Sequence, residues 1–285
     1  MSTWAELIAD GAAALESHGL GEAEITAEYL AAHILGVWDR SDLRPLRLSP
    51  ATETQHLQFD NLLRRRLAHE PVQYIIGETE FYGLRLYCTP AALIPRAETE
   101  ILVEEAIKEI RERGGACSVL DIGTGSGAIA LAIATHCPSS NVVGIDISTD
   151  AISLAKQNAK RLAITNIELR QLRFPQMLND LDRRFDLLVS NPPYIPAHEM
   201  ELIADEVRSF EPHMALTDNA NGFSFYEAIA EHAAELLHPN GVIVVETEYK
   251  GAPHVREMFA GHGLHIVRSV NDLLGHERVV VANRP

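Results

Sequence analysis

The chain has 285 residues, of which 46% are hydrophobic and 22% charged, and its formal net charge is −16. This length suits about two domains, and the composition is that of an ordinary globular protein. No apolar run approaches the ~20 residues that cross a bilayer, and the N-terminus lacks a basic targeting segment. We therefore expect a cytoplasmic protein without a membrane partner. The acidic balance argues against a nucleic-acid substrate, because nucleic-acid binding usually requires a basic surface.

Cysteine and histidine positions indicate neither a metal site nor a disulfide framework. The three cysteines, Cys88, Cys117 and Cys137, are an odd number and form no C-x-x-C pair, the spacing that zinc sites commonly use. The 13 histidines are scattered along the chain. We predict no metal ion, and we expect the cysteines to be small buried hydrophobic residues.

The N-terminal part of the chain is predicted to be helical. Thr3 and Glu6 form a capping-box pattern that opens the first helix. Residues 24–35 carry apolar side chains on one face of a second helix. Ser49-Pro50 offers an N-cap and a proline at the first position of a third helix. These apolar stripes predict a small helical core.

The rest of the chain alternates strands and helices. Strands are predicted at residues 118–122, 142–146, 167–170, 185–190, 242–246, 265–268 and 278–282. Apolar strands that alternate with helices predict an α/β fold with a mostly parallel sheet covered on both faces. The last two strands are close enough to form a hairpin, so we expect one antiparallel edge strand. The predicted organisation is a helical domain at 1–72, a hairpin and linker at 73–98, and an α/β domain at 99–285.

A glycine-rich loop follows the first strand of the α/β domain. Gly123, Gly125 and Gly127 allow a sharp turn and a close approach to a ligand, at the end of the sheet where such folds bind ligands. The second strand ends at Asp146, whose carboxylate can accept hydrogen bonds from both hydroxyls of a ribose. The loop also matches the dinucleotide pattern G-x-G-x-x-A, so an NAD-dependent oxidoreductase is one alternative. Asp121 favours S-adenosylmethionine instead, because a carboxylate suits an amino or sulfonium group better than a pyrophosphate.

The turn Asn191-Pro192-Pro193-Tyr194 follows another apolar strand. Two consecutive prolines make the turn rigid and supply no N–H groups, which leaves its carbonyls free to face a ligand. The turn presents an amide, backbone carbonyls and an aromatic ring, a set that suits a planar NH2 group. By itself it leaves a glutamine amide and the amine of adenine equally open as the substrate.

Together these segments resemble the HemK/PrmC family of class I S-adenosylmethionine-dependent methyltransferases over nearly the whole chain. The resemblance is carried by residues 71–77, 81–83, 93–100, 121–129, 191–194 and 272–278. The Asn-Pro-Pro-Tyr turn is shared with adenine-N6 methyltransferases, whereas Ile94-Pro95-Arg96 joined to a helical N-terminal domain is much more specific to this family. The resemblance implies a Rossmann-like sheet of seven strands and a substrate-docking helical domain. It also implies methyl transfer from S-adenosylmethionine to the side-chain amide nitrogen (N5) of a glutamine in peptide-chain release factors.

The same resemblance implies the site residues. Those expected to bind the cofactor are Asp121, Gly123, Thr124, Gly125, Ser126, Gly127, Asp146, Phe174 and Asn191. Those expected to bind the substrate amide are Asn191, Pro192, Pro193 and Tyr194, of which Asn191, Pro192 and Tyr194 are the expected catalytic residues. The Asn191 oxygen and the Pro192 carbonyl would each accept one hydrogen of the NH2 group, and Tyr194 would pack on its face.

Three further residues bear on the site. Arg173 stands where the family often has an acidic residue, so adenine recognition is expected to depend on stacking against Phe174 and on backbone groups. Glu246 ends a strand at the same crevice and is a candidate for a functional role or a solvated strand end. Arg96 is expected to form a structural ion pair.

The expected protein partner is a peptide-chain release factor, and two alternatives remain. An N6-adenine methyltransferase acting on DNA or RNA would share the turn and the loop, but it needs a basic groove that an acidic chain does not favour. An NAD-dependent oxidoreductase would give no role to the turn at residues 191–194.

Overall fold

The computed structural model describes residues 2–181 and 183–285, with the backbone alone at positions 177 and 179. The helices are α1 Trp4–Ser17, α2 Ala23–Leu35, α3 Arg40–Leu43, α4 Glu53–Leu67, α5 Val72–Ile76, α6 Thr99–Glu112, α7 Ala128–His136, α8 Thr149–Arg161, α9 Asp205–Phe210, α10 His213–Leu216, α11 Ser224–Leu236 and α12 Ala252–Gly261. The strands are β1 Glu78–Phe81, β2 Leu84–Tyr87, β3 Ser118–Ile122, β4 Asn141–Asp146, β5 Ile167–Gln171, β6 Phe185–Ser190, β7 Leu237–Glu246, β8 His265–Asn271 and β9 Glu277–Asn283.

The chain forms two compact units. One consists of the N-terminal part through Glu78 together with Ala204–Phe210, and the other of Thr79–Ile203 together with Glu211–Pro285. The first unit thus contains α9, a segment that the sequence pattern assigned to the α/β domain. None of the helices in the described part of the chain is both long and apolar enough to cross a membrane.

The helical unit is built around an apolar core that includes Trp4, Ile8, Leu30 and Phe59. The rings of Trp4 and Phe59 meet edge to face, with centroids 6.3 Å apart, a favoured aromatic geometry. The capping box predicted at the start of α1 is confirmed, because the Thr3 hydroxyl accepts the Glu6 N–H and the Glu6 carboxylate accepts the Thr3 N–H.

The predicted start of the third long helix at Ser49-Pro50 is wrong. Helix α4 begins at Glu53, and its N-cap is Thr52. The Thr52 hydroxyl accepts the Gln55 N–H at 3.3 Å, and the Gln55 side-chain oxygen accepts the Thr52 N–H at 3.0 Å. This reciprocal capping box satisfies two backbone donors at once, whereas the Ser49 hydroxyl donates to the Leu46 carbonyl instead.

The second unit contains the predicted seven-stranded, mostly parallel sheet, in the order β5-β4-β3-β6-β7-β9-β8. The antiparallel strand is β9, which lies between β7 and the edge strand β8. One apolar cluster packs on each face of the sheet and includes α6 and α7 on one side and α11 and α12 on the other. The hairpin predicted before the linker is also present, as β1 and β2.

The strand order positions the site. Strands β4, β3 and β6 are neighbours and parallel, so their carboxyl ends lie side by side. From β3 the chain continues to β4 on one side, and it later returns to form β6 on the other side of β3. This change of direction leaves a crevice at the carboxyl ends of the strands. The glycine loop follows β3, Asp146 is the last residue of β4, and the turn at residues 191–194 follows β6.

Candidate active site

A cavity of about 500 Å³ lies at the carboxyl ends of β3, β4 and β6. Its described lining residues all belong to the second unit. They include Gly123, Gly125, Asp146, Phe174, Asn191 and Pro193. The structure therefore brings most of the predicted cofactor residues and part of the substrate turn to one cavity.

The glycine loop is held against β4 by its backbone. The N–H groups of Gly123 and Thr124 both donate to the Ile145 carbonyl at 2.9 Å. Gly123, Gly125 and Gly127 have φ values of 76°, 55° and 84°, a region that favours glycine. Thr124 and Ser126 are buried, yet they also line the cavity.

The two aspartates take different positions around this loop. The Asp146 carboxylate lines the cavity, where Oδ2 accepts the Gly125 N–H and Oδ1 accepts the Ser148 N–H, each at 2.9 Å. Burial raises the pKa of Asp146, and these backbone bonds oppose the rise. A carboxylate oxygen can accept more than one hydrogen bond, so both oxygens retain capacity for a diol.

Asp121 lies behind the loop and is not among the residues that line the cavity. It is fully buried, and its Oδ2 accepts the Thr124 hydroxyl at 2.6 Å. Burial raises its pKa to about 7. The predicted direct contact of Asp121 with a cofactor is therefore not supported, because the carboxyl is fully buried behind the loop and hydrogen-bonded to Thr124.

The third wall of the cavity follows β5. Leu172, Arg173 and Phe174 all line it, and the Leu172 N–H donates to the Asp146 carbonyl at 2.9 Å. Phe174 is half-buried and packs against the apolar cluster of the neighbouring sheet face. Arg173 is exposed. The Phe174 ring lies on the same cavity as the Asp146 carboxylate, which can accept the hydroxyls of a ribose. An aromatic face at this place suits a planar heterocycle.

The turn after β6 brings one amide to the cavity. The Asn191 side chain lines it, and its Nδ2 donates to the Thr99 hydroxyl at 3.1 Å. Among the described residues, none donates a hydrogen bond to the Asn191 Oδ1. The Ser190 hydroxyl donates to the Ile122 carbonyl at 2.7 Å, which joins the end of β6 to the end of β3.

The remaining residues of the turn differ in exposure. Pro193 lines the cavity, whereas Pro192 is buried and Tyr194 packs against the apolar cluster that contains Tyr226. Burial raises the pKa of Tyr194, and the Glu246 charge adds to the rise. In this structure the Tyr194 ring is therefore a packing residue of the turn and lies outside the described cavity lining.

Sequence reasoning missed several residues of the site. Thr99 lines the cavity and holds Asn191, and its only signal was its place in the segment 93–100. The stretch from Pro212 to Ala215, which includes the first three residues of α10, also lines the cavity and carried no recognisable pattern. The expected structural ion pair of Arg96 is confirmed, with Glu211 as its partner. The buried Glu211 carboxylate also accepts the Ile94 N–H at 3.1 Å.

Comparisons with known proteins match both units. A family model described as a methyltransferase domain matches residues 114–275, and one described as the PrmC N-terminal domain matches residues 6–77. The release factor glutamine methyltransferase of Aliivibrio fischeri is 40% identical over 267 residues, which are 94% of this chain and 92% of the relative. The enzyme of the same name from Salmonella typhimurium is 38% identical over 90% of each chain. The chain belongs to the release factor glutamine methyltransferase family.

The fold of this family member also matches solved structures. A methyltransferase from Pyrococcus furiosus aligns with a TM-score of 0.52 at 17% identity, covering 71% of this chain and 89% of the solved one. At this identity the match supports the fold alone. Membership of the family makes the protein an S-adenosylmethionine-dependent methyltransferase, and it decides against an NAD-dependent oxidoreductase.

The cavity of this methyltransferase fits S-adenosylmethionine. Asp146 offers carboxylate oxygens for the ribose hydroxyls, and Phe174 offers an apolar face for the adenine. The glycine loop brings backbone close to the same space. Among the described residues, no group of three His, Cys, Asp or Glu side chains could hold a metal ion.

Proposed function

We propose that this methyltransferase acts on the side-chain amide nitrogen (N5) of a glutamine in a peptide-chain release factor. The names of its relatives support this substrate. The observation that carries the proposal is the Asn191 carboxamide, which lines the same cavity as the glycine loop and Asp146. An acceptor oxygen at this place can bind the NH2 group of an amide.

Asn191 and Pro192 are proposed to orient the substrate amide. The Asn191 Oδ1 and the Pro192 carbonyl would each accept one hydrogen of its NH2 group. These two bonds fix the plane of the amide and aim its nitrogen into the cavity, and positioning two reactants can contribute roughly 7–11 kcal/mol to catalysis. Tyr194 holds the turn in place from the apolar cluster behind it.

When bound, S-adenosylmethionine would supply a sulfonium methyl group for transfer to the amide nitrogen, with S-adenosylhomocysteine as the leaving group. Asn191 and Pro192 stabilise the positive charge that develops on the nitrogen, because both present partial negative charge to its hydrogens. One of these protons then leaves to solvent. Gly123 to Gly127, Asp146 and Phe174 are proposed to hold the cofactor, with Asp121 supporting the loop through Thr124.

Methyl transfer to a release factor tests the substrate. The purified protein is incubated with S-adenosylmethionine and a release factor, and mass spectrometry locates any added methyl group. We expect one methyl group on one glutamine, and we expect no transfer to adenine-containing oligonucleotides. Methylation of the oligonucleotide and not of the release factor would favour the N6-adenine alternative.

The variant Asn191→Ala tests the residue assignment. Loss of an acceptor made for the transition state is expected to lower kcat about 100-fold, while the Kd for S-adenosylmethionine in calorimetry changes little. Asn141→Ala is the matched control, because Asn141 is exposed at the start of β4 and lies outside the described cavity lining. Near wild-type turnover by Asn191→Ala would overturn the assignment.

We further propose that residues 1–72 form a domain that docks the release factor. A glutamine side chain in the cavity cannot by itself orient a whole protein, and this part of the chain forms most of a separate compact unit. Removing the domain should raise the KM for the release factor and leave the Kd for the cofactor unchanged, with circular dichroism as the check on folding. An unchanged KM would contradict the docking role.

A further inference from the structure

Glu211 is a buried carboxylate that joins two segments of the cavity wall. Its side chain is 1% exposed, its Oε2 accepts the Ile94 N–H at 3.1 Å, and its Oε1 accepts a hydrogen bond from the Arg96 guanidinium. Residues 93–96 lie outside the described helices and strands, so contacts of this kind fix their position. Residues 212–215 directly follow Glu211. Both segments contribute residues to the lining of the cavity, so a single side chain connects two parts of its wall.

The same two segments lead to the two ends of the turn at residues 191–194. Thr99 follows the first segment as the first residue of α6, and its hydroxyl accepts a hydrogen bond from the Asn191 Nδ2 at 3.1 Å. Leu216 ends α10, and its carbonyl accepts the Ile195 N–H at 3.0 Å. The turn is therefore supported at its start by the first residue of α6 and at its end by the last residue of α10.

Glu211 closes these contacts into a ring, which consists of residues 94–99, 191–195 and 211–216. The Thr99 N–H donates to the Arg96 carbonyl at 3.1 Å. This bond connects the residues that Glu211 binds to the residue that supports the start of the turn. All residues of the ring belong to the second unit.

A carboxylate satisfies both donors at this place at once, because each Glu211 oxygen accepts one of them. A glutamine has one acceptor oxygen and an NH2 donor. In Glu211→Gln either the Ile94 N–H or the Arg96 guanidinium therefore faces a second donor. A buried donor without an acceptor destabilises the arrangement, so the two segments are expected to move apart in this variant.

We propose that Glu211 is a positioning residue that holds the turn at residues 191–194 in place through this ring. The inference rests on the proposed function, in which this turn binds the substrate amide. Glu211 is not among the described residues that line the cavity, so it acts through residues that do. The glycine loop and Asp146 lie outside the ring. Loss of Glu211 should therefore affect turnover of the release factor much more than the binding of S-adenosylmethionine.

Turnover of the release factor tests this role. Glu211→Gln should lower kcat about tenfold, because a displacement of about 1 Å in an active site can cost as much as 100-fold. Its Kd for S-adenosylmethionine should stay within about twofold of the wild-type value. Arg96→Gln should lower kcat in the same way, whereas Arg96→Lys keeps a charged donor for Glu211 and should retain most of the rate.

Glu109→Gln is the matched control. The Glu109 side chain is 9% exposed, accepts a hydrogen bond from the Arg268 guanidinium at 2.7 Å and lies outside the described cavity lining. This variant should lose stability, as Glu211→Gln does, and keep the wild-type kcat. Equal kcat values for Glu211→Gln and Glu109→Gln, or for Arg96→Gln and Arg96→Lys, would overturn the inference.

Hydrogen exchange of single amides, followed by nuclear magnetic resonance in the ligand-free protein, tests the ring without turnover. The Ile195 N–H bonds to α10 and not to Glu211. In Glu211→Gln it should exchange about tenfold faster than in Glu109→Gln, as expected when one buried hydrogen bond opens more often. The Leu172 N–H, which donates to the Asp146 carbonyl outside the ring, should exchange equally in the two variants.

Exchange at Ile195 that is the same in both variants would overturn the inference. Should Glu211→Gln fail to fold, the same comparison is made with Arg96→Gln, since the Arg96 side chain is 33% exposed and its loss leaves the bond from Ile94 intact. If the wild type methylates no release factor while Ile195 responds as expected, the proposed function fails and the ring stands.

Discussion

The Asp121 carboxyl is fully buried, and its Oδ1 has no hydrogen-bond partner among the described residues. Burial raises its pKa from 3.8 to about 7, the Thr124 hydroxyl opposes that rise, and the nearby Asp146 charge adds to it. A carboxyl whose folded-state pKa lies above its unfolded value contributes stability at low pH that is lost as pH rises through the folded pKa. The ligand-free protein should therefore lose stability between pH 5 and 8.

The variant Asp121→Asn should remove most of this pH dependence. A shift of about three pKa units corresponds to about 4 kcal/mol at most. In wild type the free energy of unfolding in urea should fall between pH 5 and pH 8, and in Asp121→Asn this fall should be smaller by about 2–4 kcal/mol. The control is Asp186→Asn. The pKa of Asp186 is lowered, with burial opposing the bonds from Ser118 that lower it, so its contribution is complete above pH 4. A wild-type slope in Asp121→Asn would show that Asp121 is not the group responsible.

Single residues of the site could be predicted from the sequence only where a local pattern, such as the end of an apolar strand, determines their position. Asp146 ends one apolar strand and Asn191 directly follows another, and strand ends in a parallel sheet meet at one edge. Asp121 stands inside its strand, so its side chain is directed by the pleat and by Thr124 three residues later. Nothing in the local sequence shows that the Thr124 hydroxyl occupies this carboxyl.

At the scale of elements, the turn at residues 191–194 is held by a distant segment. The Ile195 N–H donates to the Leu216 carbonyl at 3.0 Å. Gly222 is buried with a φ of 84°, and a Cβ there would collide with the Tyr194 carbonyl oxygen. The Tyr194 carbonyl is part of the backbone, so it cannot move out of the way as the end of a flexible side chain could. The position of the turn therefore depends on a glycine that lies almost 30 residues later.

The variant Gly222→Ala should displace the turn. We expect kcat to fall at least tenfold, since a displacement of about 1 Å can cost as much as 100-fold, while the Kd for S-adenosylmethionine changes less. Gly263→Ala is a matched control, because Gly263 has a φ of 80° but a Cβ there meets nothing within 4 Å. Both variants carry the same backbone strain, so equal kcat values would mean that the collision with Tyr194 does not matter for turnover.

The elements most open to prediction were those with strong local signals. Apolar strands that alternate with helices predicted the sheet correctly, and the capping-box pattern predicted the start of α1. The start of α4 was misplaced because Ser49-Pro50 and Thr52 are both plausible caps, and the choice depends on which hydroxyl finds a backbone donor. Helix α10 has four residues, too few for a periodic pattern, so its place at the cavity could not be foreseen.

At the scale of the whole molecule, contacts between residues far apart in the chain determine features that local sequence patterns could not predict. Helix α9 belongs to the helical unit, where Glu206 pairs with the largely buried Arg66 at 2.7 Å. Some 140 residues separate these partners, and no local pattern connects them. The same holds for Arg96 and Glu211, whose pairing joins the linker to the segment before α10. Fold class follows from local periodicity, whereas the pairing of buried charges follows from tertiary structure.

The division into two units also predicts where a cofactor acts. The described residues that line the cavity all lie in the second unit. Ligand binding should therefore slow amide hydrogen exchange in the glycine loop, after β4 and at Asn191 and Tyr194, the residues of the turn that carry an amide hydrogen. At a ligand concentration of 100 Kd the stabilisation is about 2.7 kcal/mol, which slows exchange by up to about 100-fold. Hydrogen–deuterium exchange with S-adenosylhomocysteine measures this, with α1, α2 and α4 as internal controls that should not change. Protection of these helices as strong as that of the glycine loop would contradict a site confined to the second unit, since the helical core around Trp4 and Phe59 contributes no described residue to the cavity.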